Sequence, residues 1–243
     1  MDRTTERLST GKKVNSALDD PVAYFTAKSH TDRANDLQVL KDNMSEGIQT
    51  IESVNSGIEA IQDLVDQADS IITSAKTADA GDLAGLQDQW TEIMTQIDDL
   101  ATDAVYKGVN LLAGDTLTVK FEGSHKLDVV GFDASNSGLG FTAAADFSSS
   151  AELETHAAEV EAALSSLRTN AQTLSSNLSI VNTREDFTTN MINNLLTGAD
   201  NLTLTDMNEE AANELALETR QSLGITSLSM ASNAAQSVLQ LFQ

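Results

Sequence analysis

The sequence predicts a mainly α protein: a long antiparallel helical coiled-coil rod with one small β-hairpin. Three observations carry that prediction. Twelve successive positions keep a 3-4 spacing of mostly apolar side chains: Leu37, Leu40, Met44, Gly47, Ile51, Val54, Ile58, Ile61, Val65, Ala68, Ile72 and Ala75. The same spacing returns later at Val160, Leu164, Leu167, Ala171, Leu174, Leu178 and Val181. Between the two, from Leu111 to Phe147, the helical period is lost. A 3-4 repeat averages about 3.5 residues, the coiled-coil period, and needs a partner helix. The two stripes are therefore expected to bury each other. Ile51, Val54, Ile58 and Ile61 on one side and Leu164, Leu167, Leu174 and Leu178 on the other form the rod seam.

The elements follow in order. Met1 to Asp20 holds Arg3, Arg7, Lys12 and Lys13, and reads as a linker whose helix continuity is weakened by Gly11 and Asn15-Ser16. Asp19 or Asp20 before Pro21 is a helix start: a capping carboxylate followed by Pro in the first turn. The first long helix runs to about Ala78 and breaks at Ala80-Gly81-Asp82. A second helix carries Leu83, Leu86, Trp90, Ile93, Ile97, Leu100 and Ala104 at the same spacing, with Trp90 as a core residue. Thr116 to Phe121 alternates, Glu122-Gly123-Ser124-His125 is turn chemistry, and Lys126 to Val130 is the returning strand. Asp133 to Ser150, rich in Gly, Ser and Ala, reads as loop.

The third long helix begins near Ser150 or Ala151. Its early Glu residues suit the positive end of the helix dipole. Gly198 is placed to be its C-cap, and Asn201-Leu202-Thr203-Leu204 connects to a last helix from Thr205 or Asp206. That last helix has no charged residue from Gln221 to Gln243. One stripe runs through Gln221, Gly224, Leu228, Ala231, Ala235, Val238 and Phe242, and Leu223, Met230, Ala234 and Leu241 supply a second apolar edge. A soluble monomer exposes at least one of these faces. Its Ser, Gln and Asn content does not suit a membrane span, so the helix is expected to line the interior of a multi-subunit assembly.

Composition excludes several classes. A formal charge of −23 repels the phosphates of nucleic acid and anionic membrane surfaces. Aromatics are only 4% and Pro21 is the single proline, which fits thin helical bundles better than a globular enzyme. With no Cys there are no disulfides, thiolate metal sites or cysteine nucleophiles. There is no secretory signal pattern and no run of ~18 apolar residues, so the chain is expected either to be cytoplasmic or to be exported by a route that needs no cleaved signal peptide.

No catalytic constellation emerges. His30, His125 and His156 lack metal-ligand spacing. The pairs Asp98-Asp99 and Glu209-Glu210 point about 100° apart on a helix, so they read as solvated faces, not acid–base pairs. Asp133-x-Ser135-Asn136 lacks the remaining ligands of a calcium loop. No enzymatic activity, metal or cofactor is expected.

Three segments carry a resemblance. Glu6-Arg7-Leu8-Ser9-Thr10-Gly11-Lys12-Lys13-Val14-Asn15-Ser16-Ala17-Leu18-Asp19-Asp20 resembles the linker near the start of bacterial flagellins. Tyr106-Lys107-Gly108-Val109-Asn110-Leu111-Leu112 is similar to the aromatic-x-Gly-x-x-Leu-Leu segment before the flagellin hairpin. Ser237-Val238-Leu239-Gln240-Leu241-Phe242 resembles the flagellin carboxy-terminal helix. Together they span nearly the whole chain in the expected order.

The resemblance implies a subunit of the bacterial flagellar filament, a helical homopolymer for swimming motility that is exported to the cell exterior. It implies three segments: residues 1–20 as an inner linker, 21–204 as the helical rod with its hairpin near 116–130, and 205–243 as the inner-tube helix. Self-assembly then rests on Leu223, Leu228, Met230, Ala231, Ala235, Val238, Leu241 and Phe242. Partners implied are further copies of the chain, an export chaperone, and the cap and junction proteins of the flagellum.

The central insertion is nearly absent, so this looks like a short form without outer variable domains. Family members normally begin with a further amphipathic helix, which looks truncated here. Flagellins sensed by the Toll-like innate receptor carry Gln-Arg-Val-Arg-Glu-Leu on the rod, where this chain reads Asp66-Gln67-Ala68-Asp69-Ser70-Ile71, so weak or no agonism is expected. The alternatives are the hook–filament junction protein and a non-flagellar coiled-coil adaptor. An adaptor needs one apolar seam, whereas a buried tube needs several.

Overall fold

The computed structural model describes residues 2–142 and 146–241, with side chains through Ser237. The elements are α1 (Asp2–Thr10), α2 (Pro21–Ala75), α3 (Leu83–Asp103), β1 (Thr116–Lys120), β2 (Lys126–Val130), α4 (Asn136–Leu139), α5 (Ser150–Thr203) and α6 (Met207–Leu241). They divide into two compact units, residues 36–190 and residues 1–35 with 191–243.

The unit of residues 36–190 holds an antiparallel helical core. Met44, Ile51, Val54, Ile58, Ile61, Val65, Ala68, Ile72 and Ala75 of α2 are buried in one cluster with Trp90 and Ile97 of α3 and Val160, Leu167, Leu174 and Val181 of α5. Leu164 and Leu178 pack half-buried against it. Near one end, Ser45 Oγ donates to Glu185 Oε1 at 2.7 Å. Toward the other end of α5, His156 lies 5.5 Å from the Trp90 ring. The buried surface is wider than a two-helix seam, because Ile48, Ile71, Met94, Ala101 and Ala163 are also covered.

Each start and stop has a local cause. Asp20 Oδ1 accepts from Ala23 N–H at 3.0 Å and caps α2 ahead of Pro21. The helix ends at Ala75, the last position of its apolar stripe and about three residues before the expected Ala78. At the start of α5, Ser149 Oγ accepts from Glu152 N–H at 3.3 Å and donates to the Glu152 carboxylate at 2.9 Å.

The segment Tyr106–Leu112 turns α3 into the hairpin. Tyr106 and Val109 exchange both backbone hydrogen bonds at 3.0 Å around Lys107 and Gly108, whose φ values are 48° and 83°. Two positive φ values make this a primed turn, which needs Gly at its second position. Asn110, buried, donates to Ala101 O at 2.8 Å and Thr102 O at 3.1 Å, covering carbonyls that α3 leaves free at its end. Leu111 and Leu112 are fully buried. Lys107 Nζ reaches Glu46 Oε2 on α2 at 2.6 Å. That lysine holds the Glu46 carboxyl below the usual carboxylate range, and Glu46 holds the Lys107 ammonium above its own.

β1 and β2 pair antiparallel from Thr116 opposite Val130 to Lys120 opposite Lys126. Their inner face reaches α2 at Gly47, where an added Cβ would stand 2.8 Å from Val119 Cγ2. Glycine at this seam position is what lets the hairpin dock.

The stretch read as loop, Asp133 to Ser150, is partly core. It holds the short helix α4, and Phe141 and Phe147 are buried edge-on against Trp90 at 5.9 and 6.0 Å. Asn136 pins it to α3 through Met94 O at 2.6 Å and Asp98. Asp133 Oδ1 accepts from Ser135 N–H, so these residues serve the loop's own geometry.

Glu159 on α5 closes the same stretch. It accepts from Thr142 N–H at 3.3 Å, from the Thr142 hydroxyl, and faces His156 Nδ1 at 2.9 Å. Partial burial pushes the Glu159 carboxyl up, but these bonds outweigh it and hold it below the usual glutamate range. A carboxylate lowered on folding stabilises above its unfolded pKa, and the contribution fades as pH falls through the folded value. Glu159→Gln is therefore expected to lower the melting temperature by a few degrees at pH 7, for a loss of about 1 kcal/mol. The gap to the parent chain should narrow as the pH falls below the usual glutamate range. A gap that stays constant with pH would show that Glu159 acts without its charge.

The second unit contains α1, α6 and the ends of α2 and α5. Residues 2–10, expected as linker, are helical, because nothing breaks the helix before Gly11. There the chain turns at φ 68°, and Gly11 N–H closes on Arg7 O at 2.8 Å. Residues 11–14 then lie along 203–205. Lys13 N–H and Val14 N–H both reach Thr203 O, and Lys13 Nζ donates to Asn201 O.

This pairing corrects the expected end of α5. Gly198 is not a C-cap: the helix continues to Thr203, with Gly198 inside it beside the His30 ring. The last carbonyls are satisfied by residues 13 and 14, so no left-handed glycine is needed. Likewise α6 starts at Met207, with Asp206 Oδ1 accepting from Asn208 N–H and Glu209 N–H.

Candidate assembly surface

The surface most unlike the rest of the chain is α6. Its first turns are anchored. Arg7 Nη1 of α1 donates to Glu210 Oε1 at 3.1 Å, and Thr5 Oγ1 donates to Glu214 Oε1 at 3.0 Å. Glu210 is only 7% exposed, so the Glu209-Glu210 pair is not the uniformly solvated face expected of it. An arginine from a residue 203 positions away accounts for the burial, since a buried carboxylate needs such a partner.

Beyond Arg220 the helix has no such anchor. Every residue from Gln221 to Ser237 is exposed. Leu223 is 61% exposed, Leu228 74% and Met230 62%. Ala231 and Ala235 are open as well. Val238, Leu241 and Phe242 lie outside the residues whose side chains are described. Ile225, not singled out by the 3-4 stripes, is also exposed, which widens the apolar face. The hydroxyls of Thr226 and Ser237 turn back onto the carbonyls of Ser222 and Asn233, at 2.9 Å each. They therefore make no demand on outside partners.

The turn between α1 and α2, in the same unit as α6, is firmly built. Asp19 Oδ2 accepts from Ser16 N–H at 2.9 Å, Asn15 N–H at 3.1 Å and the Ser16 hydroxyl at 3.2 Å. Those backbone donors, Ser16 first and then Asn15, hold the Asp19 carboxyl below the usual carboxylate range. No helix among the described residues is long and apolar enough to cross a membrane. An uncharged helical stretch exposed at every position from Gln221 to Ser237 is the surface of this chain that most calls for contact with another protein.

Comparison with known proteins gives the family. The family described as the bacterial flagellin N-terminal helical region matches residues 1–116. Flagellin FljO of Caulobacter vibrioides is 26% identical over an alignment that covers 100% of this chain and 91% of that protein. A flagellin of Brucella melitensis is 27% identical, with 100% and 92% covered. The crystal structure of Bacillus cereus flagellin shares the fold, with a TM-score of 0.53 at 14% identity, covering 60% of this chain and 88% of that one. The chain is thus similar along its whole length to bacterial flagellins, and over residues 1–116 to their N-terminal helical region. It is a structural subunit of the flagellar filament, an extracellular assembly.

Proposed function

We propose that this subunit polymerises head to tail into the filament by burying α6 against other copies as an inner-tube helix. Leu223, Leu228, Met230, Ala231 and Ala235 are the contact residues, continued by Val238, Leu241 and Phe242. In this reading residues 1–20 act as the inner linker, 21–204 as the rod with its hairpin, and 205–243 as the tube helix. One observation carries it: a helix exposed at every position from Gln221 to Ser237, with no charge to keep it in water. Contacts of this kind are heterologous and do not close, so they propagate a filament.

The chain acts without catalysis, leaves the cell without a cleaved signal peptide, and meets an export chaperone before the cap and junction proteins. The exposed apolar face is what a chaperone would shield. A chain ending at Arg220 is expected to stay folded, soluble and helical, and to form no filaments under the electron microscope. Long filaments from that truncated chain would overturn the inner-tube assignment.

A further inference from the structure

One groove reverses the charge of its surroundings. It lies between α1 and α6, which pack together within one unit. Arg3, Thr4 and Arg7 line it from α1, and Glu210, Asn213 and Arg220 from α6. Arg3 and Arg7 are one turn apart, and Asn213 and Arg220 two turns apart, so each set shares one helix face. Three of the chain's 14 basic residues thus meet at one place, in a chain of net charge −23.

Only one of the three is neutralised. Arg7 Nη1 meets Glu210 Oε1 at 3.1 Å. Among the described residues, Arg3 and Arg220 form no ion pair. One turn to either side of Arg220 stand Ala216, Leu217, Leu223 and Gly224, so its own helix offers it no carboxylate there. Like charges one turn apart, as at Arg3 and Arg7, cost stability unless an anion lies between them. The net charge of the chain repels anions at long range, but physiological salt screens that repulsion beyond about 8 Å. At contact the guanidinium groups decide. Each presents N–H donors in a planar fork that matches two oxygens of a tetrahedral anion. Thr4 and Asn213 add neutral donors. The groove, about 380 Å³, has room for a hydrated oxyanion but not for a helix of another chain, which is about 10 Å across.

We propose that this groove binds a doubly charged tetrahedral oxyanion, inorganic phosphate or sulfate, between Arg3, Arg7 and Arg220, and that the bound anion ties α1 to α6. The site is complete in one subunit, so it does not rest on the inner-tube role of α6.

The test uses the full chain as a monomer, with ionic strength held constant by sodium chloride. Titration calorimetry with phosphate should give a Kd of about 1 mM or tighter, and sulfate should compete. At about ten times Kd, amide hydrogen exchange in residues 2–10 should slow about tenfold, because opening α1 releases the anion. Exchange in residues 51–61, in the core of the other unit, should not change. Arg3→Gln and Arg220→Gln should each weaken binding about tenfold. At the same phosphate concentration the slowing should then fall to about twofold. Both arginines are exposed, so neither substitution removes a core contact. Lys28→Gln, whose partner is Asp32 on α2, should bind like the parent. Absence of binding at about 10 mM phosphate, parent-like affinity in both arginine variants, or an equal effect of chloride would each overturn the site. Vesicles of phosphatidylglycerol form a second arm. Binding to them that free phosphate does not displace would assign the groove to a lipid headgroup and overturn the free-anion site.

Discussion

Ile58→Asp is expected to lower the melting temperature of the helical core by about 10 °C or more. Ile58 is 1% exposed and sits in the middle of the α2 seam. Its neighbour Gly57 is so close to α3 and the following turn that an added Cβ would stand 3.0 Å from Leu112 Cδ1. An aspartate there enters a site packed from several sides by apolar groups. Burying an unpaired charge or a polar group without a partner costs on the order of several kcal/mol, even after the carboxyl takes up a proton. For a chain of this size each kcal/mol moves the midpoint by roughly 2–4 °C. Trp90 fluorescence follows this unit specifically, because the only tryptophan is buried in the same cluster. Glu59→Ala, one position on and exposed, should stay within about 0.5 kcal/mol of the parent. An unchanged midpoint for Ile58→Asp would mean that the seam faces water.

The same stretch of α2 explains how far the sequence alone can be read. A 3-4 period is a property of one helix, so it marks the buried side of α2 without knowledge of the partners. It does not reveal how many partners there are. Ile48 and Ile71 flank the seam and are buried because α3, the hairpin and α5 together cover more than one stripe. Gly47 looks like a weak position in that pattern. Its reason is Val119, 72 residues away, and only the folded hairpin brings the two together.

Caps followed the same division. Asp20 before Pro21, and Ser149 three residues before Glu152, act on their own helices through local bonds, and local chemistry indicates both starts. The end of α5 is satisfied by residues 13 and 14 from the opposite end of the chain, so Gly198 misleads. Phe141 and Phe147 are isolated apolar residues among Gly, Ser and Ala, with no period to betray them. They are core because α4 and Asn136 fold that stretch back onto Trp90. For α6 the absence of charge beyond Arg220 is plain in the sequence. The buried Glu210 is not, since its partner Arg7 belongs to another helix.

The largest expected change in binding concerns animal hosts. By the resemblance to flagellins, members sensed by the Toll-like receptor carry Gln-Arg-Val-Arg-Glu-Leu where this chain reads Asp66, Gln67, Ala68, Asp69, Ser70 and Ile71. On α2, Ala68 and Ile71 are buried, whereas Asp66, Gln67, Asp69 and Ser70 are exposed. The exposed pair that replaces the two arginines is therefore a neutral amide, Gln67, and a carboxylate, Asp69. Losing an interfacial charge pair, and then opposing like charges, typically costs several kcal/mol. At about 1.4 kcal/mol per decade, that is a thousandfold or more in affinity. Neighbouring exposed Asp63 and Asp66 make this face still more acidic. We propose that the monomeric protein, free of contaminating lipid, is a very weak agonist. A receptor reporter assay should respond only at concentrations about a thousandfold above those of a stimulatory flagellin. A response at similar concentrations would overturn this. Gln67→Arg with Asp69→Arg restores both guanidinium groups on an exposed helical surface, and a gain in signal measures how compatible the surrounding acidic α2 face is with the receptor.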